Sequence, residues 1–157
     1  MTITKEFKKL TGFALHPRHT NNLSLHTERL DSLFTQLAHL HCSKPNSIKL
    51  LADKVGYWIK KSPSETLHAL AGYVFYIRED FNTAKKHFLK TIALNPDNLD
   101  NWIDLAFCLR HLRDEKTSNG ILFNYRIVIH YYKYLDLKVC GFIKLKTMIA
   151  EITKRVS

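Results

Sequence analysis

Five residues between positions 67 and 97 constrain the fold of this 157-residue chain most: Gly72, Phe75, Ala84, Phe88 and Pro96. Gly72 and Ala84 are small, and small residues facing each other let two helices cross closely. Phe75 and Phe88 follow them by three and four positions, the spacing that keeps a side chain on the same helix face. They are placed to fill the space beside the crossing. Pro96 cannot continue a helix, so it ends the second one and sets the direction of the next segment. Between the halves, Glu79, Asp80, Phe81 and Asn82 read as a turn. The stretch predicts two antiparallel helices joined tightly.

One such pair cannot cover its own apolar faces, so the spacing should recur. Thirty-four residues after His68 stands Trp102, followed by Leu105, Ala106 and Leu109. Asp114, Thr117 and Ser118 then keep the register of Asp80, Thr83 and Ala84. The register lapses at Tyr125, where a small residue is expected, and no proline stands at His130. In the other direction Phe34, Leu37 and Ala38 repeat the first-helix spacing; the partner helix needs a slip of two residues to reach Ala52, and Pro63 falls near the terminator position. This period and pattern resemble the tetratricopeptide repeat, closely over 67–109 and more loosely over 28–135. The sequence departs from that family at His68, where a tryptophan is usual, and at Ala71, where a leucine is. The resemblance implies an all-α fold, a short right-handed superhelical array of about three antiparallel helix pairs with a C-terminal capping helix. Phe142, Leu145, Ile149 and Ile152 give the last helix the single apolar face such a cap needs.

Around this frame, apolar periodicity predicts helices over about Thr27–Cys42 and 47–60, separated by a break at Ser43 to Asn46. Ser62–Pro63–Ser64–Glu65 reads as a capping box with proline at the first helical position, opening a helix to about Arg78. Further helices are expected from about Thr83 to Pro96, over Leu99–Leu112 with Asp97 or Asn98 as its cap, over 118–135, and over 138–155. The helical domain thus spans 25–157. Residues 1–24, basic and polar, are expected to be a flexible tail, unless Phe7, Leu10, Phe13 and Leu15 dock it on the body.

The resemblance implies a non-enzymatic adaptor or scaffold, since such arrays bind other proteins with the first helix of each pair lining a concave groove. Here those positions hold Thr35, His39 and Cys42, then Ala69, Tyr73 and Tyr76, then Ile103, Phe107 and Arg110. Arg110 and His111 would give an apolar, aromatic groove a basic lip. Such a groove takes an extended or helical segment of a partner through large side chains. Some members of the family grip an acidic C-terminus with lysines and asparagines. Ala69, Tyr73, Ile103 and Phe107 replace them, so that activity is not expected.

Charge bears on partners rather than on fold. The formal net charge is +10, and residues 113–157 carry nine basic against four acidic side chains. Acidic proteins, nucleic acid and anionic surfaces would all be attracted. The alternative function is therefore RNA binding by the basic C-terminal face, where residues 124–138 interleave aromatics with bases. The plain reading of that segment is a packing helix with Tyr125, Val128, Tyr132 and Leu135 inward. Three widely spaced cysteines without a CxxC motif suggest reduced thiols in a cytoplasmic protein. No apolar run suggests a secretory signal or a membrane span. His39 and Cys42 have helical ligand spacing, but no second cluster accompanies them. No catalytic residue, metal or cofactor is assigned; self-association is compatible with the apolar groove.

Overall fold

Helix boundaries in this chain follow capping chemistry. A computed structural model describes residues 2–17, 32–96 and 98–121, and all of their regular structure is helical. The helices are α1 (Ile3–Thr11), α2 (Ser32–Ser43), α3 (Pro45–Lys61), α4 (Glu65–Ile77), α5 (Phe81–Leu94) and α6 (Leu99–His111). Helix resumes over residues 115–121. The segments expected over 124–138 and 138–155 lie outside the described residues.

Each start has a chemical reason. Asp80 accepts the Thr83 N–H at 3.3 Å and its hydroxyl at 2.8 Å, so α5 opens two residues before the expected Thr83. Asn98 accepts the Asp100 N–H at 3.1 Å and opens α6. Two expectations need correction. Ser64, not Ser62, caps α4: its hydroxyl oxygen accepts the Leu67 N–H at 3.1 Å, which leaves Pro63 outside the helix. Glu65 does not fold back on its own helix, because its carboxylate accepts the Asn101 side-chain amide at 3.0 Å. Nor is there a four-residue break after α2. Lys44 alone separates α2 from α3, since Pro45 suits the first helical position, where no N–H is needed.

Over residues 2–17 the N-terminal segment takes the docked alternative rather than that of a flexible tail. Thr2 caps α1 by accepting the Lys5 N–H, and Gly12 closes it in the left-handed region at φ 85°. Phe7 is fully buried, edge-on to Phe13 with ring centroids 5.2 Å apart, and Leu15 is buried as well. Glu6 accepts the Trp58 indole N–H at 3.0 Å and lies 3.9 Å from the Lys54 ammonium, fixing α1 on α3.

The core runs the length of the described chain. In α3, Ile48, Leu51, Ala52, Val55 and Trp58 are buried at the spacing of one helix face, while Leu50 and Tyr57 stay exposed. Every residue of α4 from Leu67 to Val74 is buried, so α4 is the central helix. Trp102, Leu105, Ala106 and Leu109 bury α6 beside it. Gly72 stands where a Cβ would overlap the Phe88 ring, coming within 2.6 Å of its Cδ1. This is the close crossing of α4 and α5 that the sequence predicts, with Ala84 buried in α5.

Contacts at both ends fix helix direction. The Asn101 amide donates to Glu65 at the start of α4 and to the Thr91 and Asn95 carbonyls at the end of α5. At the other end, His111 of α6 stacks on Phe81 at the start of α5 and meets Tyr76 at the end of α4. Helices α4 and α6 thus run the same way and α5 runs against them. The Trp102 indole N–H also donates to the Pro96 carbonyl at 2.8 Å, tying the terminating proline to the next helix.

The turns after α4 and α6 are the same turn, 34 residues apart. Glu79 and Arg113 hold φ 64° and 65°, in the left-handed region. The Asp80 and Asp114 N–H groups donate to Phe75 and Leu109, each at 2.9 Å. The two aspartates accept the Thr83 and Thr117 N–H groups, each at 3.3 Å. The one-residue connection between α2 and α3 has no counterpart of this turn.

Candidate functional site

Three helices at their aromatic-rich faces leave a cleft between them. Helix α2 contributes Phe34 and Thr35, α4 contributes Tyr73 and Tyr76, and α6 contributes Ile103, Asp104 and Phe107. Phe88 of α5 closes the floor, and the cleft has a volume of about 340 Å³. Its aromatic walls interlock edge to face. Phe34 lies 5.6 Å from Tyr73 and 5.7 Å from Tyr76 between ring centroids, and Tyr73 lies 5.6 Å from Phe88. Tyr76 continues the series to Phe81 at 5.3 Å and His111 at 5.2 Å. Such pairs fix ring orientation, so the walls are preformed.

Helix periodicity explains why these residues meet. Tyr73 and Tyr76 share one face of α4, while Gly72 and Phe75 turn toward α5, where Phe75 stacks on His87 at 5.8 Å. Tyr73 is 5% exposed, and its hydroxyl donates to Asp104 Oδ2 at 2.8 Å. This bond joins α4 to α6 inside the cleft wall. Tyr76 meets His111 Nε2 at 2.8 Å on the exposed edge. Burial, then the neighbouring Cys108, pushes the Tyr76 phenol above its ordinary range, so at neutral pH it keeps its proton. Phe107 is 43% exposed and carries the Arg110 guanidinium 5.9 Å from its ring centroid.

Of the residues expected in a groove, the structure brings Thr35, Tyr73, Tyr76, Ile103 and Phe107 together. Arg110 and His111 stand at the rim, exposed. Ala69 is buried in the core, and His39 and Cys42 are exposed elsewhere on α2. Phe34 and Asp104 were not anticipated in the lining. The sequence did hold a signal for Asp104, which stands beside Ile103 and three positions before Phe107 on α6. Phe88, assigned only to helix packing, serves both seam and cleft. The lining includes a carboxylate that the expectation of an apolar groove with a basic lip did not contain.

Reactive groups elsewhere are quiet. The Cys108 thiol donates to the Phe81 carbonyl at 3.0 Å, and burial pushes it up to about 12, so it is no thiolate at neutral pH. Cys42 is exposed, and Cys140 lies outside the described residues. His68 and His87 face each other across α4 and α5 with Nδ1 atoms 3.1 Å apart. Such a contact needs one ring nitrogen to donate and the other to accept. Burial lowers both, His87 to about 4, with Lys90 adding to the effect on His68 and His68 to that on His87. Among the described residues, no group of three or more His, Cys, Asp or Glu side chains could hold a metal ion, and no helix is long and apolar enough to cross a membrane. No family model, curated protein or solved structure matches the chain, so its function has to be read from the cleft itself.

Proposed function

We propose that this chain is a protein-interaction adaptor of tetratricopeptide type that holds a segment of a partner protein in the cleft between α2, α4 and α6. The observation that carries the reading is the cleft's chemistry. It is concave, largely aromatic, built on helices rather than loops, and open beside Phe107. Aromatic walls of this kind anchor large side chains at low entropic cost. The 34-residue recurrence of the turns after α4 and α6 supports a repeat array as the scaffold. The stretch 124–138, on which the RNA-binding alternative rests, lies outside the described residues, and no feature of the cleft favours that alternative.

The test is selection of displayed random peptides on the folded protein, counter-screened with Phe107→Asp. Phe107 is the appropriate target because it is the most exposed aromatic of the lining, whereas truncating Tyr73 would also break the bond to Asp104. The expected result is a set of peptides that bind the parent chain and lose binding to the variant, whose circular dichroism and melting stay unchanged. Peptides that bind both proteins equally would overturn the reading.

A further inference from the structure

We infer that the cleft takes an arginine side chain of the bound segment, with the guanidinium on Asp104 and the stem along Phe34, Tyr76 and Phe107. This rests on the reading of the cleft as a segment-binding site and adds the chemistry of its anchor. Asp104 is the one charged residue in the lining, and the residue is 7% exposed. Its carboxylate is oriented by the Tyr73 hydroxyl at 2.8 Å. That bond uses part of one oxygen's capacity, and a carboxylate offers about four lone-pair sites. Around it stand ring faces, whose negative quadrupole attracts cations.

A carboxylate among aromatic rings is complementary to a cation and repels an anion, so the anchor is not the acidic side chain that the net charge suggests. Between the two natural cations, geometry selects arginine. A planar guanidinium can stack on one ring while forking onto a carboxylate, and an ammonium can do only the second well. The chain itself provides a local precedent, for Arg110 already lies over the Phe107 ring at 5.9 Å. Arg110 is thus a resident competitor at the rim rather than a lip for acidic partners.

The experiment uses the full chain and immobilised pools of random heptapeptides whose central residue is fixed as Arg, Lys, Leu or Glu. The arginine pool is expected to be retained at least about tenfold better than the leucine and glutamate pools, in line with a desolvated charge pair. Asp104→Asn preserves an acceptor for Tyr73 and should bring arginine retention down to the leucine level. Arg110→Ala should raise arginine retention; if the anchor were acidic, the same change would lower glutamate retention. This second variant is on the surface and keeps the test decisive should Asp104→Asn fold poorly. Preference for the leucine or glutamate pool would overturn the arginine anchor and leave the adaptor reading standing. Equal retention of lysine and arginine would overturn the choice of guanidinium. No pool held better by the parent chain than by Phe107→Asp would overturn the adaptor reading itself.

Discussion

Two glycines in this chain should respond with opposite sign to the same substitution. Gly56 lies mid-helix in α3, exposed, with no atom near the position of an added Cβ. Gly56→Ala gains only the helix propensity of alanine and should stabilise by about 0.5–1 kcal/mol. Gly72 lies mid-helix in α4 and would make the same gain, but its new Cβ would fall within 2.6 Å of Phe88 Cδ1, where ordinary contact begins near 3.4 Å. The ring must retreat by nearly an ångström. It has no room to do so, being 1% exposed and held edge-on by Tyr73. Overpacking of this kind costs about 1–3 kcal/mol, so after the propensity gain Gly72→Ala should destabilise by about 1–2 kcal/mol. The two variants should differ by about 2–3 kcal/mol in urea unfolding followed by circular dichroism. Adding Phe88→Leu to Gly72→Ala should recover part of the loss, because neighbouring changes couple. A Gly72→Ala protein as stable as the Gly56→Ala protein would refute the close crossing of α4 and α5.

Other expectations rest on named contacts. Replacing Glu79 or Arg113 with glycine removes the left-handed strain of a side-chain-bearing residue and, net of glycine's entropy, should stabilise by about 0.5–1 kcal/mol each; a loss at both sites in thermal melts would contradict the turn geometry. Asn101→Leu strips the Thr91 and Asn95 carbonyls and Glu65 of a shared donor and should cost about 2–4 kcal/mol in urea unfolding, far more than a surface change. His87, held near 4 in the folded chain against an ordinary 6.5, binds a proton more readily when unfolded. Stability should therefore fall as pH drops from 6.5 toward 4. The loss should be on the order of 1 kcal/mol once screening of a partly exposed ring is allowed for. His87→Gln should flatten that slope in melts across the window, and an unchanged slope would count against the buried pair.

The pattern of legibility has physical causes. The α4–α5 crossing could be read because a glycine, an alanine and two phenylalanines at fixed spacing admit few arrangements. The groove stripe of Tyr73 and Tyr76 came from helix period alone. Ala69 failed because the period places a residue on a face without telling how deeply that face is covered, and α4 is buried all round. Phe34 and Asp104 failed because each sits one position from the expected stripe, and a helix face is wide enough to present both neighbours. At α1, Thr2 as an N-cap, Gly12 as a C-cap and Ile3, Phe7 and Leu10 on one face were all present in the sequence. Basic composition outweighed them, although Lys5, Lys8 and Lys9 are exposed while Phe7 docks.

The cleft walls are fastened differently at their two ends. Where α4 and α6 begin, the buried Asn101 amide grips Glu65 and the end of α5 together. Where they finish, Tyr76 and His111 touch on the exposed edge, in contact with water. The first is a pivot and the second a latch. Any change in the width of the cleft must therefore fan outward from the Asn101 end, so that the mouth beside His111 can adjust to side chains of different bulk while the spacing at the pivot stays constant.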